Sequence, residues 1–93
     1  MSEMLFASLE AVVDEATLLA FVAALARDRA AAESLPISID GHQGQWANQS
    51  IGTFLEAASS WAEDSEFGQR PGPKSPNPWQ LFASFLWAGR GYE

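Results

Sequence analysis

The chain has 93 residues, 12 acidic against 5 basic side chains, a formal charge of −7, four tryptophans and no cysteine. The length suits one domain, and without cysteine there is no disulfide, thiolate nucleophile or thiolate metal site, which fits a reducing compartment. A charge of this sign repels phosphate backbones and anionic bilayers, so neither nucleic acid nor a membrane surface is an expected partner.

Residues 3–12 place Met4, Leu5, Ser8, Leu9 and Val12 on one face, which predicts a short amphipathic helix. Val13-Asp14 breaks it, and Asp14 stands where it can cap the next element. From Glu15 to about Ala32 the spacing of Leu18, Phe21, Val22 and Leu25 is helical. Asp14 and Glu15 lie at its positive end, Arg27 and Arg29 towards its negative end, as the macrodipole favours.

Residues 34–49 read as a connector. Pro36 stops helical continuation, and Asp40-Gly41 with Gly44 signals turns. Ile37 and Ile39 alternate around Ser38, which predicts a brief extended piece folded back on the core, with no second strand to form a sheet. Ser50 then caps a helix that runs to about Asp64, with Ile51, Phe54, Leu55, Ala58, Trp61 and Ala62 in period and Trp46 over its start. Residues 65–77 form a Pro/Gly-rich loop.

The run from Pro78 to Ala88 is the strongest signal. Trp79, Phe82, Ala83 and Leu86 make one stripe, Leu81 and Phe85 a second, and Trp87 sits on a flank. A helix apolar nearly all round is expected to be covered from more than one side. Asn77 suits its cap, Pro78 its first position and Gln80 the acceptor of a capping box, while Gly89 and Gly91 loosen its end. The fold expected is all-α: a compact bundle of three main helices plus a short N-terminal one, joined by long irregular connectors. It forms a single helical domain over residues 1–93, with the 77–90 helix in the middle.

Chemical options are few. His42 is the only histidine; it sits in a polar loop with no nucleophile elbow near any serine, and reads as solvated. Neither metal-ligand spacing nor a glycine-rich nucleotide motif is present. No catalytic, cofactor-binding or metal-binding residue is expected, and no enzyme. The bases Arg27, Arg29, Arg70, Lys74 and Arg90 are scattered. No apolar run approaches the roughly 20 residues of a membrane span, and the N-terminus lacks a secretory pattern, so a cytoplasmic location is expected.

Glu63, Asp64 and Glu66 crowd the negative end of their helix, against the macrodipole. They read either as a docking patch for a basic partner or as a solvated helix end offset by Arg70 and Lys74. Trp61 and Trp79 fall on core stripes, so packing accounts for them. Trp46 is less determined, and Trp87 with Arg90 and Tyr92 reads as an aromatic–Arg patch of the kind enriched at interaction hot spots.

Three blocks resemble a small uncharacterised bacterial family, a domain of unknown function. They are Asp14-Glu15-Ala16-Thr17-Leu18-Leu19-Ala20-Phe21-Val22; then Trp46-Ala47-Asn48, Phe54-Leu55-Glu56-Ala57 and Trp61-Ala62-Glu63-Asp64; then Pro78-Trp79, Phe82-Ala83, Leu86 and Tyr92-Glu93. Residues 34–45 and Gly52 depart from the pattern. The resemblance implies no activity and hence no catalytic residue. It draws attention to Trp46, Asn48, Tyr92 and Glu93, with Asn48 expected to cap or brace a helix start and Tyr92 to close the core.

The expected function is a non-catalytic, acidic protein-interaction module with a basic protein as partner. The candidate contacts are Trp46, Glu63, Asp64, Glu66, Trp87, Arg90 and Tyr92. One concrete form is an immunity or inhibitor protein that masks a basic site, by analogy of size and charge with barstar-like inhibitors. Two alternatives stand beside it: a structural homodimer burying Leu81, Phe85 or Trp87 across a two-fold axis, and a small-molecule binder with a pocket lined by Trp46, Trp61 or Trp79.

Overall fold

Three side chains set the helix starts. The Asp14 carboxylate accepts from the Thr17 backbone N–H while the Thr17 hydroxyl accepts from the Asp14 N–H, a reciprocal box repeated by Ser50 and Thr53. The Thr17 backbone N–H, and after it the Thr17 hydroxyl, hold the Asp14 carboxyl below the ordinary carboxylate range. Asn77 Oδ1 accepts from the N–H groups of Trp79 and Gln80 at 2.9 and 3.4 Å, with Pro78 in the first turn. A computed structural model of the chain, which describes residues 2–69 and 74–92, accordingly holds four helices. They are α1 (Ser2–Glu10), α2 (Glu15–Ala32), α3 (Ile51–Asp64) and α4 (Pro78–Gly91). Among the described residues, extended pairing is confined to the isolated antiparallel contacts Ile37–Gln43 and Gln43–Trp46, so the protein is all-α. Arg70, Gly72 and Glu93 lie outside the described residues.

Gln80 does not close the box expected of it. Its Nε2 donates to the carbonyls of Leu9 and Val12 at 2.9 and 3.2 Å, and Asn77 Nδ2 donates to Val13 O at 2.9 Å. The first turn of α4 thereby donates to carbonyls at and just beyond the end of α1, where the helix supplies fewer N–H partners.

The core is one cluster built from Leu5, Leu9 and Val12, then Leu18, Phe21, Leu25 and Ala32 of α2, with Trp46 and Ala83. Phe21 and Val12 are its largest fully buried side chains. Helix α4 touches each of the other three helices, as its central place predicts, but it is not wrapped. Its buried residues are Ala83, Ala88, Gly89 and Arg90, whereas Trp79 and Phe82 remain 40% and 49% exposed. The reason is close approach. A Cβ at Gly89 would lie 2.9 Å from both the ring and the carbonyl oxygen of Phe54, so only glycine lets α3 and α4 come this near. Facing α4, α3 buries Ala57 and Ala58, while Ile51 and Leu55 lie exposed. The small residues face inwards and several bulky ones face out. Met4 and Val22 also leave the expected inner faces.

The connector is held by polar contacts rather than by its isoleucines, since Ile37 and Ile39 are both exposed. Gln43 and Trp46 exchange backbone hydrogen bonds of 2.9 and 3.0 Å around Gly44, whose φ of +60° suits the turn. Trp46 is thereby driven into the core, where it stacks on Phe54 at 6.1 Å. Asn48 braces a helix end rather than a start: its Nδ2 donates to the carbonyls of Gly89 and Tyr92.

Gly89→Ala is expected to lower stability by about 1–3 kcal/mol through overpacking against Phe54. Gly91→Ala is the control, because a Cβ there meets only Gln45 O at 3.8 Å, and its expected effect is within about 1 kcal/mol of zero. Urea unfolding with an unchanged slope checks both.

Candidate interaction surface

Asp28, in the C-terminal part of α2, is the polar centre of the fold. Its Oδ2 accepts from Trp46 Nε1 and from Arg90 Nε, each at 2.9 Å. The Arg90 side chain is 7% exposed, and its guanidinium lies 5.0 Å from the centroid of the Trp87 ring. Next in sequence, Arg29 donates to Gln49 Oε1 and Gln43 Oε1 at 2.7 and 3.0 Å and sits 5.2 Å from the Trp46 ring. A buried cation needs a counter-charge, and Asp28 draws Arg90 inwards to supply one. Trp46 and Arg90 therefore lie inside the protein rather than on an open face.

The other candidate residues gather at one end. Glu63, Asp64 and Glu66 are exposed where α3 ends. Tyr92, half-buried, donates its hydroxyl hydrogen to Asp64 Oδ2. That bond is the main cause that pushes the phenol pKa up, followed by partial desolvation and the carboxylate charge. Trp87, Arg90 and Tyr92 come together as the sequence suggests, and Trp61 joins them with Ala88 and Gly91 around a recess of about 300 Å³. Trp46 lines a different recess, with Phe54 and Ile51 at the start of α3.

Beside this recess runs a line of aromatic rings. Trp61 meets Phe67 edge-on at 5.8 Å, Phe67 stacks on Phe85 at 5.7 Å, and Phe85 stacks on Phe82 at 6.4 Å. Lys74 Nζ lies 5.7 Å from the Phe67 centroid. Phe67 reaches this position through a left-handed turn: Glu66, Phe67 and Gly68 have φ of 52°, 58° and 88°. For residues with a Cβ such backbone costs roughly 1–2 kcal/mol each. Hydrogen bonds from Phe67 N to Ala62 O and from Gly68 N to Ser65 Oγ, at 2.8 and 2.9 Å, help hold it. Sequence reasoning missed Phe67. Its signal is faint, a lone phenylalanine before Gly68 in an otherwise polar loop.

Aromatic faces next to carboxylates suit cations. His42 is half-buried in the connector, its Nδ1 3.4 Å from Asp40 Oδ1, the atom to which Ser38 also donates. The Ser38 hydroxyl, then the His42 backbone N–H, hold the Asp40 carboxyl low. Serine and histidine thus both converge on the Asp40 carboxylate. Among the described residues, no group of three or more His, Asp or Glu side chains converges as a metal site, and no helix is long and apolar enough to cross a membrane.

A family model described as a family of unknown function (DUF7660) matches residues 14–93, from the cap of α2 onwards. No curated protein and no solved structure matches the chain.

Tyr92 is the only tyrosine, so a spectrophotometric titration reads it alone. Its midpoint is expected above 10.0, and Asp64→Asn is expected to lower it towards that value. The folded pKa is raised, so what the bond adds to stability is present at neutral pH and lost as pH rises through and beyond 10.

Proposed function

We propose, for a chain that belongs to the family of unknown function DUF7660, a non-catalytic role: an acidic protein-interaction module that docks a basic protein. The observation that carries this reading is the uncovered aromatic face of α4 with acids at its edge. Single exposed apolar side chains are ordinary on a folded surface, whereas a contiguous apolar patch marks an interaction site. Here Phe82, Phe85, Phe67 and Trp61 form an unbroken line, with Trp79 exposed one turn before Phe82. Glu63, Asp64 and Glu66 supply negative charge beside it, and the net charge of −7 steers a basic partner towards the protein. Lys74 over Phe67 is an internal example of the contact a partner's lysine or arginine would make. An inhibitor that masks a basic site in the cytoplasm is one concrete form.

The same face supports a second reading, a homodimer. Leu81, Phe85 and Trp87 are half-buried, so a second copy would complete their burial. Salt separates the two. Attraction to a basic partner weakens as salt rises, whereas pairing two chains of −7 strengthens as their repulsion is screened.

Capture from lysate at low and high salt, with wild type beside Phe82→Ala and Glu63→Gln, tests the docking reading. A basic protein held at low salt, released at high salt and bound at least about tenfold more weakly by Phe82→Ala is expected. Equal retention by all three baits contradicts it, and light scattering that shows a dimer growing with salt favours the second reading.

A further inference from the structure

Arg90 is a cation that the fold leaves half satisfied. Its side chain is 7% exposed, and Nε, which donates to Asp28 Oδ2 at 2.9 Å, is its only nitrogen with an acceptor among the described residues. Nη2 is buried without one. A guanidinium presents its N–H donors as a planar fork, and here the Nη1–Nη2 edge of the fork is unpaired. Buried donors are otherwise almost always bonded, and exceptions gather at functional sites. The same residue lines the recess of about 300 Å³ at the end of α4, together with Trp61, Trp87 and Tyr92. The Trp87 ring centroid lies 5.0 Å from the guanidinium carbon, and the Tyr92 hydroxyl is committed to Asp64. An apolar cavity of about 150 Å³ accepts benzene, so this recess has room for one aromatic ring and a polar group.

We infer that the recess is a binding site for a small aromatic carboxylate, which sets its carboxylate on Arg90 and its ring against Trp61 and Trp87. The Nη1–Nη2 edge matches a carboxylate in two parallel hydrogen bonds, and one ligand group then supplies the acceptor that the protein lacks. The walls are indole and phenol rings, which favour an aromatic body over an aliphatic one. Charge narrows the class further. Asp28 already balances Arg90, Asp64 is bonded to the Tyr92 that lines the recess, and the chain carries −7, so a phosphate dianion is repelled more strongly than a monoanion. The site stands apart from the docking of a basic protein and shares only Trp61 with the line of rings.

Benzoate is the probe, titrated into the full chain while the indole N–H signals of its four tryptophans are followed by nitrogen–proton NMR. Saturable shifts of Trp61 and Trp87 are expected, with Trp79 unmoved. Benzamide, which lacks the charge, and acetate, which lacks the ring, are each expected to bind at least about tenfold more weakly. Arg90→Lys keeps a cation opposite Asp28 but loses the fork, and should weaken benzoate at least about tenfold. Trp61→Leu leaves the Asp28–Arg90 pair intact and should weaken it likewise, so it decides the matter if the lysine variant does not fold. Phe82→Ala should leave the affinity unchanged. Benzoate that fails to saturate, that binds no better than benzamide or acetate, or that is indifferent to either recess substitution in a folded variant overturns the inference. Weakening by Phe82→Ala overturns it too, because the ring would then lie on the aromatic face.

Discussion

A single carboxylate oxygen, Oδ2 of Asp28, accepts from the Trp46 indole and the Arg90 guanidinium at once, and the rest of the structure follows from that convergence. It joins α2, the 34–49 connector and the last turn of α4, which lie far apart in sequence. The Arg90 backbone carbonyl then accepts from Ala47 N at 2.9 Å, so the connector is pinned to α4 by main chain as well. The arrangement has an energetic weakness. Arg90 Nη2 is buried and has no acceptor among the described residues, a penalty of about 1–3 kcal/mol. The Trp87 ring beneath the guanidinium offsets part of it, by roughly 0.5–2 kcal/mol.

Fixing the end of α4 in this way decides which of its faces is outside. Arg90, Ala83 and Gly89 turn inwards, and α3 closes against Gly89 at a separation that only glycine permits. The large rings of Trp79 and Phe82 are left facing solvent. On a domain of this size that amount of uncovered aromatic surface is a feature to explain. The left-handed turn at Glu66 and Phe67 points the same way, because strain is accepted there in order to extend the line of rings by one. The interior pair and the exterior face are two sides of one packing solution.

Local chemistry was legible in the sequence. Asp14, Ser50 and Asn77 cap the helices they were expected to cap, and the helix bounds follow the periodicity closely. What could not be read was distance. Hydrophobic spacing ranks side chains by apolarity, and so set Trp79 and Phe82 inside with Ile51, Leu55 and Ile37. Close helix approach ranks them by size, and it chose Ala57, Ala58, Ala83 and Gly89 instead. Side-chain partners more than 40 residues away leave no local trace either, so the contacts of Gln80 with Leu9, Asn48 with Gly89 and Arg90 with Asp28 had no signal. Around the candidate surface the acids were placeable because a helix end is a local object. Phe67 was not, because a non-glycine residue at positive φ carries no mark in the sequence.

A double-mutant cycle on Asp28 and Arg90 goes most directly to the convergence on which everything else rests. Stability is measured by denaturant unfolding for wild type, Asp28→Asn, Arg90→Gln and the pair. A coupling energy of about 1–3 kcal/mol is the expected result, with the double variant less damaged than the sum of the singles. Additivity within about 0.5 kcal/mol would mean that the two side chains do not depend on each other, and the placement of α4 derived from them would be contradicted.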